Sequence, residues 1–97
     1  MTENVLFEGD CKALYLRLKD GMNLARKKHP FYAEGKYQAL GVIGEEYREF
    51  VQAIEKESDT RSVEEAWDVV FTCLRFIIGE HRTPEGKGDG FGWERRS

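Results

Sequence analysis

Three stretches of the chain carry apolar residues at the spacing of an α-helix. The first runs from about Asp10 to Lys28, with its apolar residues at steps of three and four: Leu14, Leu18, Met22 and Ala25. Pro30 ends this pattern, since proline terminates most helical segments. The spacing therefore predicts one helix before residue 30.

Two further stripes follow and are more regular. The second helix is predicted over residues 37 to 57, with the stripe Leu40, Ile43, Tyr47, Phe50 and Ile54. The third is predicted over residues 60 to 80, with Val63, Ala66 or Trp67, Val70, Leu74 and Ile77. Nothing alternates with the period of two that a strand requires. The pattern predicts an all-α antiparallel bundle of three main helices over residues 1–80, in which the last two helices pack through these stripes.

The polar segment KESDTRS, residues 56 to 62, predicts the turn between the second and third helices. Asp59, Thr60 and Ser62 are candidate N-caps, because their side chains can accept hydrogen bonds from the first free backbone N–H groups. Ser62 and Glu65 also have the spacing of a capping box. If that box formed, Glu65 would be occupied at its own helix terminus.

Acidic residues interrupt both stripes in the same way. Glu46 and Glu49 are three residues apart on the second helix, and Glu65 and Asp68 are three apart on the third, so each pair shares a helix face. Glu45 is expected to point outward. If the two helices are antiparallel, both pairs lie at one level of the bundle and four carboxylates converge.

Such convergence needs a cation. Two like charges ~6 Å apart repel by roughly 3 kcal/mol at an effective dielectric constant of ~20. Oxygen ligands favour Mg²⁺ or Mn²⁺, with Ca²⁺ as an alternative, and such an ion can hold phosphate oxygens and activate water. The competing interpretation is an ordinary solvated surface, which is the usual role of a single acidic pair on a charged helix.

Composition narrows the classes of protein. A chain of 97 residues with a formal net charge of -3 fits one small domain and does not favour binding to nucleic acid or to an anionic membrane. The longest apolar run contains Arg75, and the N-terminus lacks the pattern of a secretory signal. We therefore expect a cytoplasmic protein in which Cys11 and Cys73 are reduced. Residues 81–97 are glycine-rich and predict a C-terminal tail.

The segments EEYREFVQAI and EEAWDVVFTCL together resemble the E-x-x-E, spacer, E-x-x-D signature of the MazG-type nucleoside triphosphate pyrophosphohydrolases. The resemblance covers roughly residues 36 to 79. It implies an all-α homo-oligomer, a dimer or tetramer, that uses Mg²⁺ or Mn²⁺ to hydrolyse a nucleoside triphosphate to the monophosphate and pyrophosphate, in a house-cleaning role. The metal ligands and catalytic carboxylates implied are Glu46, Glu49, Glu65 and Asp68.

Substrate contacts are expected from residues near these motifs. Basic candidates for the phosphates are Lys36, Lys56, Arg61 and Arg75, and aromatic candidates for the base are Phe31, Tyr32, Tyr37 and Trp67. Surplus apolar residues predict a partner copy of the chain: Val42, Val51, Val69, Phe76 and Ile78. Two alternatives remain. One is a non-catalytic oligomerisation or regulatory module on the same scaffold, and the other is a di-iron carboxylate protein, which normally needs a Glu-x-x-His motif that this sequence lacks.

Overall fold

The computed structural model describes residues 8–82, which form three α-helices and a short 3₁₀ turn. The helices are α1 (Glu8–Lys28), α2 (Lys36–Lys56) and α3 (Asp59–Ile77), and the 3₁₀ turn spans Glu80–Arg82. No strand occurs within these residues, so the predicted all-α bundle is confirmed. The predicted tail lies outside the described residues from position 83 onward.

Helices α2 and α3 form a tight hairpin, since only Glu57 and Ser58 separate them. Ser58 is the N-cap of α3, and its hydroxyl oxygen accepts a hydrogen bond from the Arg61 backbone N–H at 3.2 Å. The capping box that Ser62 and Glu65 could form is therefore absent, because the helix begins at Asp59, a turn earlier. Glu65 is left available for contacts elsewhere.

Helix α1 packs against α3 and not against α2. The approach is close at Gly21, which is buried against the Phe71 ring. A Cβ atom at Gly21 would lie 1.9 Å from Phe71 Cζ, so only glycine fits without movement of the ring. Because α1 and α2 each pack against α3 but do not pack against each other, an open space is left between them.

Replacing Gly21 with alanine should destabilise the protein. Gly→Ala inside a helix normally stabilises by about 0.5–1 kcal/mol, but overpacking against Phe71 should cost about 1–3 kcal/mol. Urea unfolding followed by circular dichroism measures the change. Gly41→Ala is the matched control, because nothing lies within 4 Å of a Cβ at that position. Equal effects of the two substitutions would contradict the proposed packing.

The segment between α1 and α2 is held against the C-terminal part of α3. Tyr32 and Ala33 are buried with Ala39, and Val42 and Phe76 pack against them. The Tyr32 hydroxyl donates a hydrogen bond of 2.8 Å to the Thr72 carbonyl oxygen. Burial raises the pKa of Tyr32 to about 12, so the phenol stays protonated and the bond persists at neutral pH. The segment thus closes one end of the bundle.

The apolar stripes of α2 and α3 are only partly buried in the single chain. Leu40, Tyr47 and Ile54 of α2 are 56–64% exposed, and Val63 and Ile77 of α3 are 58% and 51% exposed. The stripe residues Ile43 and Phe50 of α2 are half-buried, and Ala39 and Ala53 are the buried residues of that helix. Part of the apolar stripe of each helix is therefore an outer surface of this chain.

The residues predicted to form surplus surface for a partner also differ from the exposed ones. These residues are half-buried within the single chain: Val42, Val51, Val69, Phe76 and Ile78.

Among residues 8–82, no helix is both long enough and apolar enough to cross a membrane.

Candidate metal and phosphate site

A cavity of about 550 Å³ occupies the space between α1 and the α2–α3 hairpin. All three helices and the segment after α1 contribute to its wall. The charged residues of the wall are Arg17, Lys28, Glu45, Glu46, Glu49, Asp68 and Arg75. Acidic groups come from α2 and α3, and cations come mainly from α1, so the cavity has an anionic side and a cationic side.

The four acids predicted from the sequence lie near one another. Glu46, Glu49 and Asp68 line the cavity, whereas Glu65 is buried and does not line it. Glu46 lies on the half-buried face of α2, between the half-buried stripe residues Ile43 and Phe50. Glu45 also lines the cavity, so the expectation that it points away from the site is wrong. It sits one residue before Glu46, where the wide gap between α1 and α2 leaves this side of α2 open.

The electrostatics of the acids reflect their crowding. Burial, followed by the charges of Glu49 and Asp68, raises the pKa of Glu46 to about 7, and Glu65 adds to the effect. Asp68 lies at the exposed rim, where partial burial and then Glu65 raise its pKa, while Lys28, Arg61 and Arg17 act against this shift. A carboxylate whose pKa is raised in this way is stabilised by any cation that binds beside it.

Glu65 is the most deeply buried of the four acids, with 6% of its surface exposed. Its Oε2 atom pairs with the Arg61 guanidinium. Its Oε1 atom is buried and has no hydrogen-bond partner among residues 8–82. An unpaired buried carboxylate oxygen is costly, so this atom is suited to a ligand that the chain itself does not supply.

These donors fit a hard divalent cation in their chemistry. All four are carboxylates, which Mg²⁺ and Mn²⁺ prefer, and one buried oxygen lacks a partner. In the described part of the chain, however, no three acidic, histidine or cysteine side chains are already arranged around one point that could hold a metal. Arg61 holds Glu65 Oε2, which leaves Glu65 Oε1 without a partner among these residues. Side-chain adjustment would have to accompany ion binding.

Five of the eight substrate contacts predicted from the sequence do not line the cavity, among them Arg61 and Trp67. Lys36, Tyr37 and Lys56 are exposed and do not line it. The Lys36 ammonium instead lies 5.3 Å from the centre of the Tyr37 ring. Arg75 does line the cavity, but it is only 4% exposed and its guanidinium is committed to protein contacts.

The cations that face the open part of the cavity come from α1. Arg17, Gly21, Leu24 and Lys28 all line it, at helical steps of four, three and four. Arg17 lies over the Trp67 ring at 4.8 Å and over the Phe71 ring at 5.3 Å. Arg17 and Lys28 could not be predicted from the acidic motifs, because both lie on α1, far from those motifs in the sequence. Their position on the same face as Gly21 was the available signal.

Of the aromatic residues predicted to contact the base, two line the cavity and two do not. Phe31 and Tyr32 line the cavity, and Phe31 is 50% exposed. Tyr32 is buried and holds the connecting segment in place. Tyr37 is 78% exposed away from the cavity, and Trp67 stacks on Phe71 at 5.6 Å. Phe31 is the candidate whose ring a ligand in the cavity can reach.

A buried ion cluster fixes the far end of the cavity wall. Glu80 is 1% exposed and accepts hydrogen bonds from Arg26 Nε at 2.6 Å and from Arg75 Nε at 2.7 Å. Arg75 also donates to the His29 carbonyl oxygen at 2.8 Å. One carboxylate thereby joins α1, α3 and the 3₁₀ turn. Arg75 therefore stabilises the cavity wall through these contacts.

Comparison with known proteins leaves the resemblance to be tested by experiment. No protein-family model, no curated protein and no solved structure gives a significant match to the chain.

Proposed function

We propose that the protein hydrolyses a nucleoside triphosphate to the monophosphate and pyrophosphate with the help of Mg²⁺. The observation that carries the proposal is the cavity in which three of the four motif acids meet cations from α1. The sequence motifs that suggested this activity include those same acids. A bound triphosphate and its metal ion need both groups, because carboxylates bind the metal ion and cationic side chains bind the phosphates.

The acidic side of the cavity is suited to the metal ion. Glu46, Glu49, Glu65 and Asp68 would hold it, with Glu65 presenting its unpaired Oε1 atom. The ion would neutralise charge on the phosphates and lower the pKa of a bound water. Mn²⁺ would serve in its place, because it accepts the same oxygen ligands.

The cationic side is suited to the phosphates. Arg17 and Lys28 are 11 residues apart on one face of α1, or about 16 Å at 1.5 Å per residue, so they bracket the cavity. Each would donate hydrogen bonds to phosphate oxygens. Phe31 is half-exposed at the same cavity and would stack on the base.

A panel of ribo- and deoxynucleoside triphosphates tests the activity. Each compound would be incubated with the purified full chain and Mg²⁺, and the products separated by chromatography. Monophosphate and pyrophosphate in equal amounts are expected for at least one compound. Release of orthophosphate and the nucleoside diphosphate would instead show attack on the terminal phosphorus. No turnover with any compound would overturn the proposal.

We also propose that the protein is a homo-oligomer, a dimer or a tetramer, in which a second copy covers the exposed stripes of α2 and α3. Leu40, Tyr47 and Ile54 repeat every seven residues, as do Val63, Val70 and Ile77 on α3, and all six are exposed. Seven-residue spacing is the pattern of helices that pack against other helices. An uncovered apolar surface of this kind marks an association site.

Replacing Ile54 with aspartate should shift the protein toward monomer, because the charge would be buried in the proposed interface. Light scattering coupled to size exclusion measures the mass at micromolar concentration. Gln52→Asp is the control, since it adds the same charge at a neighbouring exposed position of α2. A monomeric wild-type protein would refute the proposed assembly.

The second candidate is a non-catalytic oligomerisation or regulatory module on the same scaffold. The absence of a preformed group of three acidic, histidine or cysteine side chains that could hold a metal ion in residues 8–82 favours it. A protein that forms the oligomer but neither binds Mn²⁺ nor hydrolyses any triphosphate would support this alternative.

A further inference from the structure

Arg61 is bound to three carboxylates near the start of α3. Its guanidinium pairs with Glu57 at 3.3 Å, with Glu64 at 2.5 Å and with Glu65. The hydrogen bonds to Glu64 and Glu57, followed by the charge of Glu65, raise the pKa of Arg61 above its ordinary value. The contacts lie at i−4, i+3 and i+4, so one helix face and its preceding turn fix the guanidinium plane.

The three partners differ in burial. The Glu57 and Glu64 side chains are 41% and 53% exposed, whereas the Glu65 side chain is 7% exposed. Only Glu65 therefore has its orientation decided by the protein. Arg61 engages one of its oxygens and leaves the other, Oε1, buried and unpaired among the described residues.

We infer that Arg61 is a positioning residue that holds Glu65 Oε2 and so keeps Oε1 available to a divalent cation. The inference rests on the proposed function, which includes the cation. Partners that hydrogen-bond to a ligating carboxylate fix its orientation, and their loss typically lowers metal affinity by about 10- to 100-fold. Arg61 acts through Glu65 and does not line the cavity.

Charge and positioning have opposite consequences for binding. Arg61 is a cation near the site, so its removal would by itself strengthen the binding of another cation. Loss of positioning weakens binding, because Glu65 would be free to turn away. The sign of the change in affinity therefore separates the two roles.

Binding of Mn²⁺ to the full chain, without nucleotide, tests the inference. The concentration of free Mn²⁺ is measured by electron paramagnetic resonance and gives the Kd. Arg61→Met should raise the Kd about 10-fold or more, with the fold checked by circular dichroism. Arg61→Lys should retain part of the affinity, because an ammonium can still hold Glu65 by one contact. Arg48→Met, an exposed arginine of α2 outside the cavity wall, should change the Kd less than about threefold.

Each other outcome is decisive. An unchanged or lower Kd for Arg61→Met would overturn the inference while leaving the proposed metal site intact. If that variant does not fold, Arg61→Lys decides, and wild-type affinity in it would overturn the inference. If wild-type protein binds Mn²⁺ no better than a Glu49→Gln variant, the metal site fails and the inference fails with it.

Discussion

Replacement of Glu49 by glutamine or of Asp68 by asparagine should abolish Mg²⁺-dependent hydrolysis. Each substitution removes one charged ligand from the proposed site and keeps the shape of the side chain. Loss of a group that merely supports a ligand costs roughly 10- to 100-fold, so loss of the ligand itself should lower kcat/KM by more than ~100-fold. Pyrophosphate release over a range of Mg²⁺ concentrations measures the effect.

The fold should survive these two substitutions. Both acids lie in a crowded anionic wall, so the metal-free melting temperature should stay the same or rise. The control must lie outside the cavity, which excludes Glu45 because it lines the wall. Glu55→Gln is suitable, as Glu55 is exposed on α2 away from the cavity. Full activity in Glu49→Gln and Asp68→Asn would show that these acids do not form the site.

The largest loss of stability should follow Glu80→Ala. Glu80 is 1% exposed and accepts hydrogen bonds from Arg26 and Arg75, and the Arg75 side chain is only 5% exposed. Its removal leaves a buried guanidinium without its counter-ion, which costs about 3–5 kcal/mol. That is a large share of the stability of a small domain. Urea unfolding at neutral pH measures the change in the free energy of unfolding.

Glu55→Ala is the matched control for stability as well. Glu55 is an exposed acid of α2, so its loss should change the free energy of unfolding by no more than about 0.5 kcal/mol. The double substitution Glu80→Leu and Arg75→Met should recover part of the lost stability, because no buried charge remains unpaired. If Glu80→Ala and Glu55→Ala had equal effects, the buried cluster would not contribute as described.

The helices and the shared face of each acidic pair could be predicted from the sequence, because both depend on local spacing. A helix repeats every 3.6 residues, so Glu46 and Glu49 had to share a face, and the short turn at Ser58 had to return α3 beside α2. Which face of each helix is buried in the single chain could not be predicted. Leu40 and Ile54 belong to the apolar stripe of α2 and are exposed in the single chain, whereas Ile43 and Phe50 of the same stripe are half-buried. Periodicity identifies a surface that needs covering, and it does not say by what.

Contacts between distant parts of the chain were also beyond the sequence pattern. Arg26 and Glu80 are 54 positions apart, and nothing near either residue indicates the other. Arg17 and Lys28 face the acids only because Gly21 lets α1 approach Phe71. The resemblance covered roughly residues 36 to 79, so the helix that supplies these cations lay outside it. The cationic side of the cavity was missed for that reason.

The packing of α1 on α3 alone has a consequence for the order in which the molecule assembles. The α2–α3 hairpin is built from contacts close in sequence, which form quickly because little chain entropy is lost in closing a short loop. Helix α1 is joined to the rest by contacts such as Arg26 to Glu80, across most of the described chain. The hairpin, with all four motif acids, can therefore form before α1 docks. We expect the cavity to be completed last, and we expect partial unfolding that detaches α1 to remove its cations while the acids stay together on the hairpin.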